Sequence, residues 1–120
     1  MLGFMADQQL DVAAVEELAE GATIKFHFSE GAEKSEGFVI RRGGTVYAWR
    51  NRCCHIPMTM DWVENRFLSR DGCHIQCATH GALYEIETGL CVWGPPAGEH
   101  LPGFPVEEKQ GRITVTVPNS

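Results

Sequence analysis

Phe38-Val39-Ile40-Arg41-Arg42-Gly43-Gly44-Thr45-Val46-Tyr47-Ala48-Trp49 is the stretch that decides the fold class. β-Branched and aromatic residues flank a Gly-Gly pair, and glycine reaches positive φ at little steric cost, so the stretch predicts a β-hairpin. On its N-terminal side, Ile24, Phe26 and Phe28 alternate with Lys25 and His27, the period-two pattern of a half-buried strand. On its C-terminal side, Phe67-Leu68-Ser69 and Cys73-His74-Ile75-Gln76 enclose the turn signal Arg70-Asp71-Gly72. Leu83 to Ile86 and Leu90 to Trp93 enclose a further one, Glu87-Thr88-Gly89. Ile113, Val115 and Val117 alternate with Thr114 and Thr116 as the last strand. Leu10 to Ala19 reads as a short strand running into a helical turn, preceded by a loose end up to Gln9 (1–9). Short strands separated by turn chemistry predict an all-β sandwich or barrel-like fold. No linker divides residues 1–120, so a single domain is expected.

Composition narrows the functional classes. Hydrophobic residues are 43% and charged residues 22% of the 120, ordinary globular usage that predicts a folded chain. A formal charge of -6 argues against nucleic-acid binding, which needs clustered Lys and Arg. Met1 to Leu18 lacks a basic, then apolar, secretory signal, and no segment approaches the ~20 apolar residues of a membrane helix. The expectation is a cytoplasmic protein with no membrane partner, in which thiols stay reduced and able to bind metal. Five cysteines, an odd number, also fit a disulfide framework poorly.

Two clusters interrupt the strands: Cys53-Cys54-His55, and Cys77-Ala78-Thr79-His80-Gly81, with residues 56–76 between them. Each follows a predicted strand, where a loop can aim two side chains at one point, and a hairpin between them can bring the loops together. Cys with His is a metal-binding donor set.

Asn51-Arg52-Cys53-Cys54-His55, Cys77-Ala78-Thr79-His80-Gly81-Ala82-Leu83-Tyr84 and Gly94-Pro95-Pro96-Ala97-Gly98 together resemble the Rieske iron-sulfur family. The resemblance runs from about Ala22 to Val117. It implies an antiparallel β-sandwich with a cluster-binding subdomain formed by two loops, and one Rieske-type 2Fe-2S cluster. By resemblance, Cys53 and Cys77 hold one iron and His55 and His80 the other, while the proline-containing loop covers the cluster. Two neutral imidazoles in place of thiolates raise the reduction potential. The implied function is a one-electron carrier of the ferredoxin kind, taking electrons from a reductase and passing them to an oxygenase or similar acceptor. It is not itself expected to be catalytic: no Gly-x-Gly-x-x-Gly is present for a flavin or nicotinamide nucleotide, and no nucleophile has an evident base.

Several positions depart from the family pattern. Many relatives have Gly two residues after the first His and Pro two residues beyond it, whereas this chain reads Ile56-Pro57-Met58-Thr59-Met60. Cys54 stands where Pro is frequent; a thiol outside the cluster is expected there, with exchange for Cys53 as the alternative. Met58 and Thr79 occupy the positions at which high-potential relatives carry a disulfide, so none is expected between the loops. Ala82 replaces a Ser that raises the potential in those relatives, and Tyr84 is a second candidate donor to sulfur.

The remaining residues receive structural readings. Cys73 and Cys91 are expected in the core, and His74 to face solvent. His27 and His100 are read as surface or structural, Asp61, Glu85 and Glu87 as solvated carboxylates, and Trp49, Trp62 and Trp93 as core or loop packing. Two alternative functions stand beside the carrier: a small redox subunit or sensing module of a larger enzyme, as in nitrite reductases, and a zinc-stabilised interaction module. Zinc also accepts two Cys and two His, but its common sites use Cys-x-x-Cys.

Overall fold

In the computed structural model the described residues are 7–52, 67–77 and 81–118. Among the described residues ten strands form three antiparallel sheets, and the all-β expectation holds. β1 (Gln8–Ala14), β10 (Arg112–Val117) and β9 (Val106–Lys109) make one sheet in that order. β2 (Thr23–Glu30), β3 (Glu33–Arg42), β4 (Thr45–Arg50) and β8 (Gly103–Phe104) make the central sheet. The third sheet contains β5 (His74–Gln76), β6 (Leu83–Glu85) and β7 (Cys91–Trp93).

The Gly-Gly hairpin forms as expected. Arg42 pairs with Thr45, leaving Gly43 and Gly44 as a two-residue turn with φ of 61° and 81°. Positive φ at both positions matches the right-handed twist of the flanking strands. The Glu20 carboxylate accepts the N–H groups of Gly43 at 2.6 Å and Gly44 at 3.0 Å, and those bonds lower its pKa. β1 begins at Gln8, opposite Val117, so Gln8 and Gln9 belong to the sheet instead of a loose end. The expected helical turn is the 3-10 turn Val15–Glu17.

Alternation along β3 and β4 sends side chains to both faces of the central sheet. Val39, Val46 and Ala48 join Phe26, Phe28, Phe104, Ile113, Val115 and Val117 in the core of the sandwich. Phe38, Ile40 and Trp49 point the other way, into a second core shared with Phe67, Ile75, Tyr84 and Ile86. The central sheet is thus buried on both sides, and the third sheet packs on its far face.

Three features bind that third layer. The rings of Phe38 and Phe67 stack with centroids 4.0 Å apart. Trp49 Nε1–H donates to the carbonyl of Ile86 at 3.1 Å. The Trp49 indole also lies against two glycines, for a Cβ on Gly89 or Gly103 would come within 2.7 or 2.9 Å of its Cζ3. Pro105, which lacks an N–H, separates β8 from β9 where the chain passes from the central sheet to the first.

Two expectations about short strands need correction. Phe67-Leu68-Ser69 contributes only a bridge between Leu68 and Ile75. Cys73 lies outside β5 and is exposed, without a disulfide. Asp71 explains both: its carboxylate accepts from Ser69 Oγ at 2.7 Å and from the Cys73 N–H at 3.0 Å, so the turn extends through Cys73. The Ser69 bond, then the Cys73 bond, also hold the Asp71 pKa below its ordinary value.

Candidate metal centre

The second ligand segment grows out of the β5–β6 hairpin. Gln76 pairs with Leu83, and the pairing continues one step as the Cys77 N–H donates to the Ala82 carbonyl at 2.9 Å. Gly81 N–H also donates to the Cys77 carbonyl at 2.7 Å. Gly81 has φ of 69°, which explains the glycine directly after His80. Cys77, Ala82 and Tyr84 are each fully buried.

Of the four expected ligands, Cys77 is among the described residues. Cys53, His55 and His80 lie outside them, as do Cys54, Pro57, Met58, Asp61, Trp62 and Thr79. Both flanks of the first ligand segment are nonetheless defined. On one side, Asn51 N–H donates to the Glu36 carbonyl at 2.9 Å and Arg52 N–H to the Arg50 carbonyl at 3.0 Å. On the other, the Phe67 carbonyl accepts the Gln76 N–H at 2.7 Å, next to Cys77. Arg52, the last described residue before 53–66, thus lies at the end of the central sheet, and Phe67, the first after them, lies beside the strand that leads into Cys77. Among the described residues no three His, Cys, Asp or Glu side chains converge as a separate metal site.

Gly94-Pro95-Pro96-Ala97-Gly98 forms a compact loop. Ala97 N–H donates to the Gly94 carbonyl at 3.0 Å, and Gly98 N–H to the Cys91 carbonyl at 3.0 Å. Gly94 has φ of 110°, and a Cβ there would lie 2.9 Å from Ala82 Cα. The proline loop thus abuts the second ligand segment, and only glycine permits so close an approach.

A bulge between Leu83 and Tyr84 changes what β7 exposes. Cys91 pairs with Tyr84 and Trp93 with Leu83, which breaks strict alternation. Cys91 is buried as expected, but Val92 and Trp93 both face out, 43% and 60% exposed. The core or loop-packing expectation for Trp93 is overturned. Its Cζ3 lies 3.8 Å from where a Gly81 Cβ would be, so an exposed indole stands beside the second ligand segment. Trp49 is buried as expected, and His74 is only partly exposed. His27 and His100 are exposed.

Residues 8–106 match the model of the Rieske [2Fe-2S] domain. The chain belongs to the Rieske iron-sulfur family. The Rieske chain is 30% identical over 111 residues to the 3-phenylpropionate/cinnamic acid dioxygenase ferredoxin subunit of Photorhabdus laumondii, covering 91% of this chain and 94% of that protein. It is 35% identical over 81 residues to the oxidoreductase NdmD of Pseudomonas putida, which covers 62% of this chain but only 13% of NdmD. Its fold is similar to a chain in the complex of reduced oxygenase and oxidised ferredoxin of carbazole 1,9a-dioxygenase. That match has a TM-score of 0.71 at 24% identity, covering 93% of this chain and 95% of the other.

The cofactor of this Rieske protein is a 2Fe-2S cluster. Cys77 fits that group by its donor chemistry: it is a soft sulfur donor, outside any disulfide and buried where β5 ends, as a cluster thiolate ligand requires.

Proposed function

We propose that this protein is a Rieske ferredoxin, a one-electron carrier between a flavin reductase and an oxygenase or similar acceptor. Cys53 and Cys77 would hold one iron of its cluster, and His55 and His80 the other. When bound, the cluster accepts and releases a single electron at a potential raised by its two neutral imidazole ligands. The protein's own residues tie Cys77 to Gly81 and Ala82 with main-chain hydrogen bonds, set the proline loop against Ala82 and bury Cys77 away from water. The observation that carries this reading is the similarity to a dioxygenase ferredoxin subunit over 91% of this chain and 94% of that one.

Trp93 supports the reading, since an exposed indole beside Gly81 suits a brief encounter with a redox partner. Among the described residues no helix is long and apolar enough to cross a membrane, and the proposed location is the cytoplasm. The similarity to a small part of NdmD favours one second reading, in which such a domain serves as the electron-transfer part of a larger oxidoreductase.

Iron and acid-labile sulfide analysis of anaerobically purified protein, with paramagnetic resonance before and after dithionite, tests the proposal. Two irons and two sulfides per chain and a Rieske-type reduced spectrum are expected. Zinc as the sole metal would overturn it.

A further inference from the structure

Asn51 is the buried polar residue of the described core, 4% exposed, and it precedes Cys53 by two positions. A buried amide is costly unless bonded, so its partner carries structural information. Glu36 on β3 is such a partner. Asn51 Nδ2 donates to Glu36 Oε1 at 3.0 Å, and the Asn51 N–H donates to the Glu36 carbonyl at 2.9 Å. Main chain and side chain of Asn51 therefore both bond to Glu36 on β3.

Glu36 is itself held. Lys25 Nζ lies 3.2 Å from the same Oε1, and His27 Nε2 lies 3.3 Å from Oε2. Lys25 and His27 sit on β2, where His27 is directly opposite Glu36 in register. They alternate with Phe26 and Phe28, which enter the sandwich core, so the Glu36 cluster occupies the opposite face, the one that carries the third sheet. Arg50, one residue earlier, turns to the sandwich side, where its guanidinium bonds Glu30 at 2.6 Å and lies 5.4 Å from the ring centroids of Phe28 and Phe104. Strand alternation thus ends in two opposed anchors, and the chain departs from the second.

We infer that Glu36 and Asn51 form a clamp that sets the direction in which the chain leaves β4, and so are positioning residues for Cys53 and His55. This rests on the ligand assignment proposed above. Two residues span at most about 7 Å of chain, so a shift at Asn51 reaches the Cys53 backbone with little to absorb it. Cluster ligands tolerate such shifts poorly, because outer groups that orient metal ligands change affinity by about 10- to 100-fold when removed.

The isosteric variants Asn51→Asp and Glu36→Gln test the clamp, singly and combined, in cluster-loaded protein. Asn51→Asp places a carboxylate against the Glu36 carboxylate in place of a donor. It should lose iron to a chelator roughly tenfold faster than wild type and broaden the reduced paramagnetic spectrum. The double variant restores a bond of reversed polarity, with the introduced amide donating to the introduced carboxylate, and should return both readouts toward wild type. A lowered melting temperature with wild-type chelation rate and spectrum would make the pair merely structural and overturn the inference. So would a double variant no better than Asn51→Asp. Absence of iron from the wild type would overturn the ligand assignment as well, whereas indifferent variants of a loaded wild type overturn the clamp alone.

Discussion

The two faces of the central sheet bury cores built on different principles. The sandwich face joins β10, with its strict alternation of Ile113, Val115 and Val117, to Phe26, Phe28 and Phe104, whose rings meet at centroid distances of 5.5–6.1 Å. The other face meets three-residue strands and is held by a few specific contacts, chiefly Trp49 against Gly89 and Gly103 and Phe38 on Phe67. Long ladders make the first core tolerant of single changes. The second depends on individual residues, and it is the one that holds Cys77.

This contrast predicts that ligand loss and fold loss separate. Cys77→Ala should abolish bound iron and sulfide while far-ultraviolet circular dichroism retains the β-sheet signal, and the same holds for Cys53→Ala, His55→Ala and His80→Ala. Collapse of the whole sheet signal in Cys77→Ala would mean that the two layers fold as one unit. Next in size is Trp49→Ala, expected to cost roughly 3–5 kcal/mol in denaturant unfolding, as for other large buried aromatics. Gly89→Ala attacks the same contact from the other side, forcing a Cβ to 2.7 Å from the indole at φ of 75°. It should lower cluster occupancy more than any equally conservative change in β10.

The sandwich side offers a gentler test. Glu30 has a lowered pKa, first because Arg50 donates to it and then because Ser35 does. A carboxyl whose folded pKa is depressed stabilises above its unfolded pKa, and that contribution is lost as pH falls through the folded value. Glu30→Gln should therefore be less stable than wild type at pH 7, by about 1 kcal/mol or less, and the gap should close in acid. A gap that widened on acidification would contradict the assignment.

Two smaller effects concern the cluster layer again. Rieske potentials span roughly -150 to +300 mV, and hydrogen bonds to sulfur raise them. With Ala82 offering no donor, the midpoint by film voltammetry at neutral pH should fall below about +100 mV, and Ala82→Ser should move it upward. Trp93→Ala, on an exposed side chain, should change stability by no more than about 0.5 kcal/mol. Its effect should appear only in electron transfer to a protein acceptor.

Much of this architecture was legible in local sequence. Period-two alternation and the Gly43-Gly44 turn need only neighbouring residues to be read, and they predicted β2, β3, β4 and β10. The Gly that follows His80 in the family pattern is Gly81, which the structure places at positive φ. Cys73 was misread because a turn held by the Asp71 side chain delays the strand by one residue, and alternation counted through the turn gives the wrong face.

What the sequence by itself determined is most of the longer strands, their tight turns and the donor types of the expected ligand residues, since each depends on intrinsic backbone preference or on side-chain chemistry. The tertiary structure alone decided the rest. It placed the chain's passage between sheets at Pro105, turned Trp93 outward through a bulge in register with Leu83 and Tyr84, and joined Asn51 to Glu36 across strands. Those outcomes are set by which distant backbone and side-chain groups remain to be satisfied once the strands have paired, a condition that no local window of sequence contains.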